Sequence, residues 1–83
     1  MNQKYTLYYY ATCPFCVRVR MALKRMRIKI PLKNIRENKL YEKELIAGGG
    51  KRQVPCLRIN ENGSIKWLYE SADIVRYFRE KYA

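Results

Sequence analysis

The sequence predicts an α/β domain of order β-α-β-α-β-β-α, with a four-stranded mixed sheet and helices on both faces. Three observations carry that reading. Apolar spacing switches repeatedly between strand period and helix period. Asn62-Gly63 divides two short strand-like runs, a strong hairpin signal. The chain has 83 residues, 48% of them hydrophobic, which suits one small domain, 1–83, and not two.

The elements follow in order. "KYTLYYYA" (4–11) is rich in Tyr, Thr and Leu and reads as a buried strand. Pro14 stands where a helix can begin, since its missing N–H would be unsatisfied there anyway. In the helix over 15–26, Phe15, Val19, Ala22, Leu23 and Met26 recur at helical spacing, while Arg18, Lys24 and Arg25 face water. "IKIPLKNI" (28–35) alternates as a strand, with Pro31 marking an edge or an irregular start. A second helix spans 38–50, capped by Asn38 and stopped by Gly48 to Gly50. Strands at 54–60 and 64–69 flank the turn Glu61-Asn62-Gly63. The last helix, 71–82, turns Ile74, Val75, Phe78 and Tyr82 inward and takes Ser71 as its N-cap.

The formal charge is +11, from eighteen Lys and Arg against seven Asp and Glu, with no His. Such a balance suits nucleic acid, anionic small molecules or acidic proteins. Because the cations are spread over every segment, the expectation is a solvated basic surface rather than a nucleic-acid module. No stretch approaches the ~18 apolar residues of a membrane span. The amino terminus lacks the pattern of a signal peptide, and three cysteines do not make a secreted disulfide framework. The expected location is the cytoplasm.

"ATCPFCVRVR" (11–20) sets two cysteines three positions apart. A structural zinc site needs four ligands; this chain has three Cys and no His, with Cys56 far off in sequence, so no metal is expected. Two inert core thiols would also fit the composition. The position argues for redox chemistry instead. Cys13 lies where a strand ends and a helix begins, and the free N–H groups and positive dipole end of that helix favour a thiolate. Cys16 follows one turn later, within reach of the Cys13 sulfur. Cys13 is then the nucleophile and Cys16 the resolving thiol.

"CPFC" after a strand, "QVPCL" opening the third strand and "ESADIVRYF" opening the last helix together resemble the glutaredoxin family. Within it the chain looks most like the bacterial dithiol type, whose fold is shared with the amino-terminal domain of glutathione transferases. The resemblance implies a thioredoxin-like fold and a glutathione-dependent thiol–disulfide oxidoreductase. It implies a cis Val54-Pro55 facing the Cys pair and a glutathione site built from Tyr10, Phe15, Gln53, Val54, Pro55, Glu70 and Ser71. It further implies disulfide-bonded or glutathionylated proteins as substrates, recharging through glutathione reductase and NADPH, and action as a monomer. The implied potential is roughly −200 to −230 mV. Departures are visible. Many members carry Lys at the place of Tyr10, where it contacts the glycyl carboxylate; Arg52, Lys51 and Arg18 are the candidate replacements. Gln53 stands where Thr is common, and Cys56 has no role in the family. Three alternatives belong to other classes: a glutathione-ligated iron–sulfur cluster carrier, a glutathione transferase lacking its helical domain, and a basic nucleic-acid-binding module.

Overall fold

The computed structural model describes residues 4–82. The chain runs β1 (Tyr5–Tyr9), α1 (Pro14–Arg25), β2 (Leu32–Asn34), α2 (Lys39–Gly49), β3 (Cys56–Glu61), β4 (Ser64–Tyr69) and α3 (Ser71–Tyr82). The sheet order is β2-β1-β3-β4. β1 and β2 are parallel, joined by α1, and the remaining pairs are antiparallel. This is the mixed α/β sheet expected from the sequence. Asn62 and Gly63, at φ 54 and 84, close the β3–β4 hairpin and set the register Glu61↔Ser64. Such a tight turn needs two positive φ values, which Asn-Gly supplies at least cost.

Strand alternation sorts the core onto two faces. Tyr5, Leu7, Leu57 and Ile59 point one way and pack with Val19 and Leu23 of α1 and Ile74 and Phe78 of α3. Tyr8 and Cys56 point the other way and pack with Ile35, just after β2, and with Leu45 of α2, edged by Trp67 and Tyr69. Burying a Leu, Ile, Val or Phe side chain stabilises by about 1.5–3 kcal/mol. The larger first cluster therefore carries most of the apolar stabilisation.

Several boundaries differ from the sequence reading. In α1 the buried positions are Cys16, Val19 and Leu23, spaced i, i+3 and i+7. Phe15 lies off that stripe and is 56% exposed. The helix ends with Arg27 at φ 59, Arg27 N–H donating to the Lys24 carbonyl and Ile28 N–H to that of Leu23. Glycine takes this left-handed position without penalty; a residue with a Cβ loses about 1–2 kcal/mol there. β2 begins at Leu32, not at residue 28, because Pro31 has no N–H to give to the ladder. Its carbonyl accepts the first bond, from Leu7 N–H at 3.0 Å.

α2 is capped by Asn38, whose side chain accepts Leu40 N–H at 2.9 Å. It continues through Gly48 and Gly49 and stops only at Gly50, φ 91. Those two glycines let β4 come close: a Cβ on Gly48 would sit 2.1 Å from the Trp67 ring, and one on Gly49 the same distance from the Tyr69 hydroxyl. β3 starts at Cys56, so Val54 and Pro55 remain in the preceding loop. Ser71 is the first residue of α3 rather than its cap; Glu70 precedes it at φ 74 and its carbonyl accepts Ile74 N–H. Tyr82, expected inward, is 51% exposed. Its ring still stacks on Phe78, and its hydroxyl bonds that of Tyr5. Among the described residues no helix is long and apolar enough to cross a membrane.

Candidate active site

The site begins at the junction of β1 and α1. Cys13 is the N-cap of α1, in extended conformation, and its sulfur accepts the Cys16 N–H at 3.4 Å. This is the place of a capping Ser or Asp oxygen, filled here by sulfur. Pro14 at the first helical position leaves one orphan N–H fewer to satisfy. Cys13 N–H donates to the Tyr10 carbonyl at 3.3 Å, and Val17 N–H donates to the Cys13 carbonyl at 3.0 Å. The backbone is thus held on both sides of the sulfur.

Cys16 faces inward and is fully buried, whereas Cys13 keeps 5% exposure. Burial pushes the Cys16 thiol well above its usual range, and contact with the Cys13 sulfur adds to that. The two thiols therefore differ: one is an N-cap with an edge to solvent, the other a protonated thiol beneath it. All three cysteines are free. Cys56 lies elsewhere, in β3 between Tyr8 and Tyr69, and burial raises its thiol to about 12.

Opposite Cys13 stands the Val54-Pro55 loop. That peptide is cis, and the Val54 carbonyl lies 4.0 Å from the Cys13 sulfur. Gln53 reaches sideways, its Nε2 donating to Glu70 Oε1 at 3.4 Å. That contact ties the loop to the start of α3, where Ser71 is buried. The fold thus brings Cys13, Tyr10, Val54 and Pro55 to one rim and joins Gln53 to Glu70. Phe15 projects to solvent beside them.

Arg36 was missed in the sequence. Its guanidinium lies 3.8 Å from the Tyr10 ring centroid, and its Nη1 donates to Thr12 Oγ1 at 3.3 Å. Its own N–H is held by Asn34 Oδ1 at 2.9 Å. A cation is therefore placed on the loop that leads into Cys13. Its only sequence signal was an Asn two residues ahead, a turn former. Of the candidates weighed from the sequence, Arg52 pairs with Glu42 and Lys51 lies over the Tyr69 ring. Among the described residues no three His, Cys, Asp or Glu side chains come together as a metal site would require.

The fold and this rim define a thioredoxin-like domain. At the family level, residues 12–81 match the model of the glutathione S-transferase N-terminal domain, and the chain belongs to that family. The family matched is the transferase N-terminal domain, whose thioredoxin-like fold is the one the sequence implies. Solved structures agree on the fold. A glutathione transferase Omega 3C from Trametes versicolor is 24% identical with a TM-score of 0.78, over 98% of this chain and 34% of that one. A maleylacetoacetate isomerase from Anaeromyxobacter dehalogenans, with GSH bound in its active site, is 23% identical with a TM-score of 0.73, over 95% and 38%. The trimeric glutathione transferase TDR1 of Leishmania is 24% identical with a TM-score of 0.77, over 95% and 18%. The chain therefore spans between about a fifth and two fifths of the length of these proteins. No curated protein matches it.

Proposed function

We propose that the chain is a glutathione-dependent thiol–disulfide oxidoreductase, with Cys13 as nucleophile and Cys16 as resolving thiol. The observation that supports this most is the asymmetry of the pair: the Cys13 sulfur caps α1 and meets the Val54 carbonyl, while Cys16 is buried behind it. The Cys13 thiolate attacks the glutathionyl sulfur of a protein–glutathione disulfide. Cys13–S–SG forms and the protein thiolate leaves. A second glutathione thiolate attacks that bond, giving oxidised glutathione and free Cys13. Glutathione reductase and NADPH return the oxidised glutathione to the thiol. With a protein disulfide, Cys13 forms the mixed disulfide. Cys16 then gives up its proton to the departing protein thiolate as it attacks the Cys13 sulfur, closing a Cys13–Cys16 disulfide.

Glutathione would bind as a short added strand. Its cysteinyl backbone would pair with Val54, a mode that uses main-chain groups for affinity. The γ-glutamyl carboxylate would meet the α3 N-terminus at Glu70 and Ser71, since a helix start attracts anions. Glu70 holds a left-handed φ of 74 at that point, a conformation a Glu adopts at some cost. Arg36, over Tyr10, is the cation available to the glycyl carboxylate, the role considered above for Arg52, Lys51 and Arg18.

The test is glutathione-dependent reduction of a glutathione mixed disulfide, coupled to glutathione reductase and NADPH. Cys13→Ser should lose at least about a thousandfold in rate, since a hydroxyl is not ionised at neutral pH. Cys16→Ser should retain mixed-disulfide turnover and lose reduction of protein disulfides. Full activity in Cys13→Ser would overturn the assignment. A second reading, glutathione conjugation, is favoured by the family match. It requires turnover of an aryl electrophile that survives Cys16→Ser, with no disulfide reduction by the wild type.

A further inference from the structure

Residues 50–55 join α2 to β3 and bring Val54 to the Cys13 sulfur. Among the described residues no backbone–backbone hydrogen bond holds 51–55. Side chains hold the loop instead. Arg52 pairs with Glu42 at the surface, where a charged pair contributes little, and Gln53 reaches Glu70. The third tether is the Tyr69 hydroxyl, which donates to the Lys51 carbonyl at 3.2 Å.

That donor is anchored. The Tyr69 ring packs against the Tyr8, Leu45 and Cys56 cluster. Gly49 leaves room for its hydroxyl, since a Cβ there would stand 2.1 Å from the oxygen. The Lys51 ammonium covers the ring, 4.6 Å from its centroid. Burial, with Cys56 beside it, pushes the phenol up to about 12, so it stays a neutral donor. Along the sheet Tyr69 pairs with Cys56, the residue after Pro55, and along the chain it precedes Glu70 and Ser71. Tyr69 therefore stands between the two segments proposed for glutathione.

We propose that Tyr69 is a positioning residue of that site: its bond to the Lys51 carbonyl holds the 51–55 loop in the conformation that receives the glutathione backbone. The role rests on the glutathione site proposed above. A loop fixed before binding has less freedom to lose when the ligand arrives, which raises affinity without a new contact.

The test measures binding of S-methylglutathione, which keeps the peptide and has no free thiol, to the full chain by amide shifts. Turnover of a glutathionylated peptide is measured beside it. Tyr69→Phe removes the hydroxyl alone. It should weaken binding and raise KM about three- to tenfold, with kcat within about twofold. Gly49→Ala, whose methyl displaces the hydroxyl, should do the same, and the double variant should do no more than either. Ile59→Val, in the other core cluster, lowers stability modestly and should leave affinity within about twofold. Wild-type affinity in Tyr69→Phe, or an equal loss in Ile59→Val, would overturn the role. Wild-type binding without turnover, weakened in Tyr69→Phe, would support the role and overturn the oxidoreductase reading. No binding by the wild type would overturn both.

Discussion

Cys13 and Cys56 are the same residue at nearly the same burial, 5% and 0% exposed, yet they stand in opposite backbone settings. Cys13 follows a strand and caps a helix, so the Cys16 N–H donates to its sulfur and a rim of the molecule opens beside it. Cys56 sits inside a ladder, paired with Tyr8 on one side and Tyr69 on the other, roofed by the α2 cluster. The difference teaches that two equally buried thiols can have quite different backbone settings, and on the proposed function it is the helix-capping one that reacts. Cys16 is intermediate in kind: buried like Cys56, but in contact with the Cys13 sulfur.

The contrast can be broken by opening the roof. Leu45, fully buried in the Cys56 cluster, should cost about 2–5 kcal/mol as Leu45→Ala, measured by urea unfolding. Cys56 should then become open to alkylation, where in the wild type Cys13 alone is modified. A smaller effect follows from the α2–β4 approach. Gly48→Ala drives a methyl into the Trp67 ring and should cost about 1–3 kcal/mol, measured by urea unfolding.

Much of this was legible in the chain. All seven elements were readable from period, caps and the Asn-Gly turn, because each rests on local rules. The place of the Cys13–Cys16 pair at the start of α1 was readable too, since Pro14 fixes where the helix starts. What escaped depends on tertiary geometry. Gly48 and Gly49 looked like a stop, but the rings of Trp67 and Tyr69 occupy the space a Cβ would take. Phe15 looked like core, and the helix phase set by Cys16 and Val19 turns it outward. Arg36 comes to Tyr10 only through the β1–β2 pairing, at a separation of 26 residues.

Alkali sharpens the comparison across all the buried groups. Burial raises Cys16 and Cys56 above the ordinary thiol value of about 9, and Tyr8, Tyr69 and Tyr5 above the usual phenol range. The folded state holds these protons after the unfolded chain has released them. Their stabilising contribution is therefore complete below about pH 9 and is lost as pH rises toward 12. The melting temperature should fall across that window. Cys56→Ala should soften the fall and leave the turnover rate within about twofold, as expected of a group outside the site.

The central claim is that one sulfur of the three takes up the glutathionyl group. It is tested most directly by trapping. Cys16→Ser, which lacks the resolving thiol, is incubated with oxidised glutathione and mapped by peptide mass spectrometry. The expected result is one glutathione per chain, on Cys13, with Cys56 unmodified. An adduct on Cys56, or none on Cys13, would contradict the account.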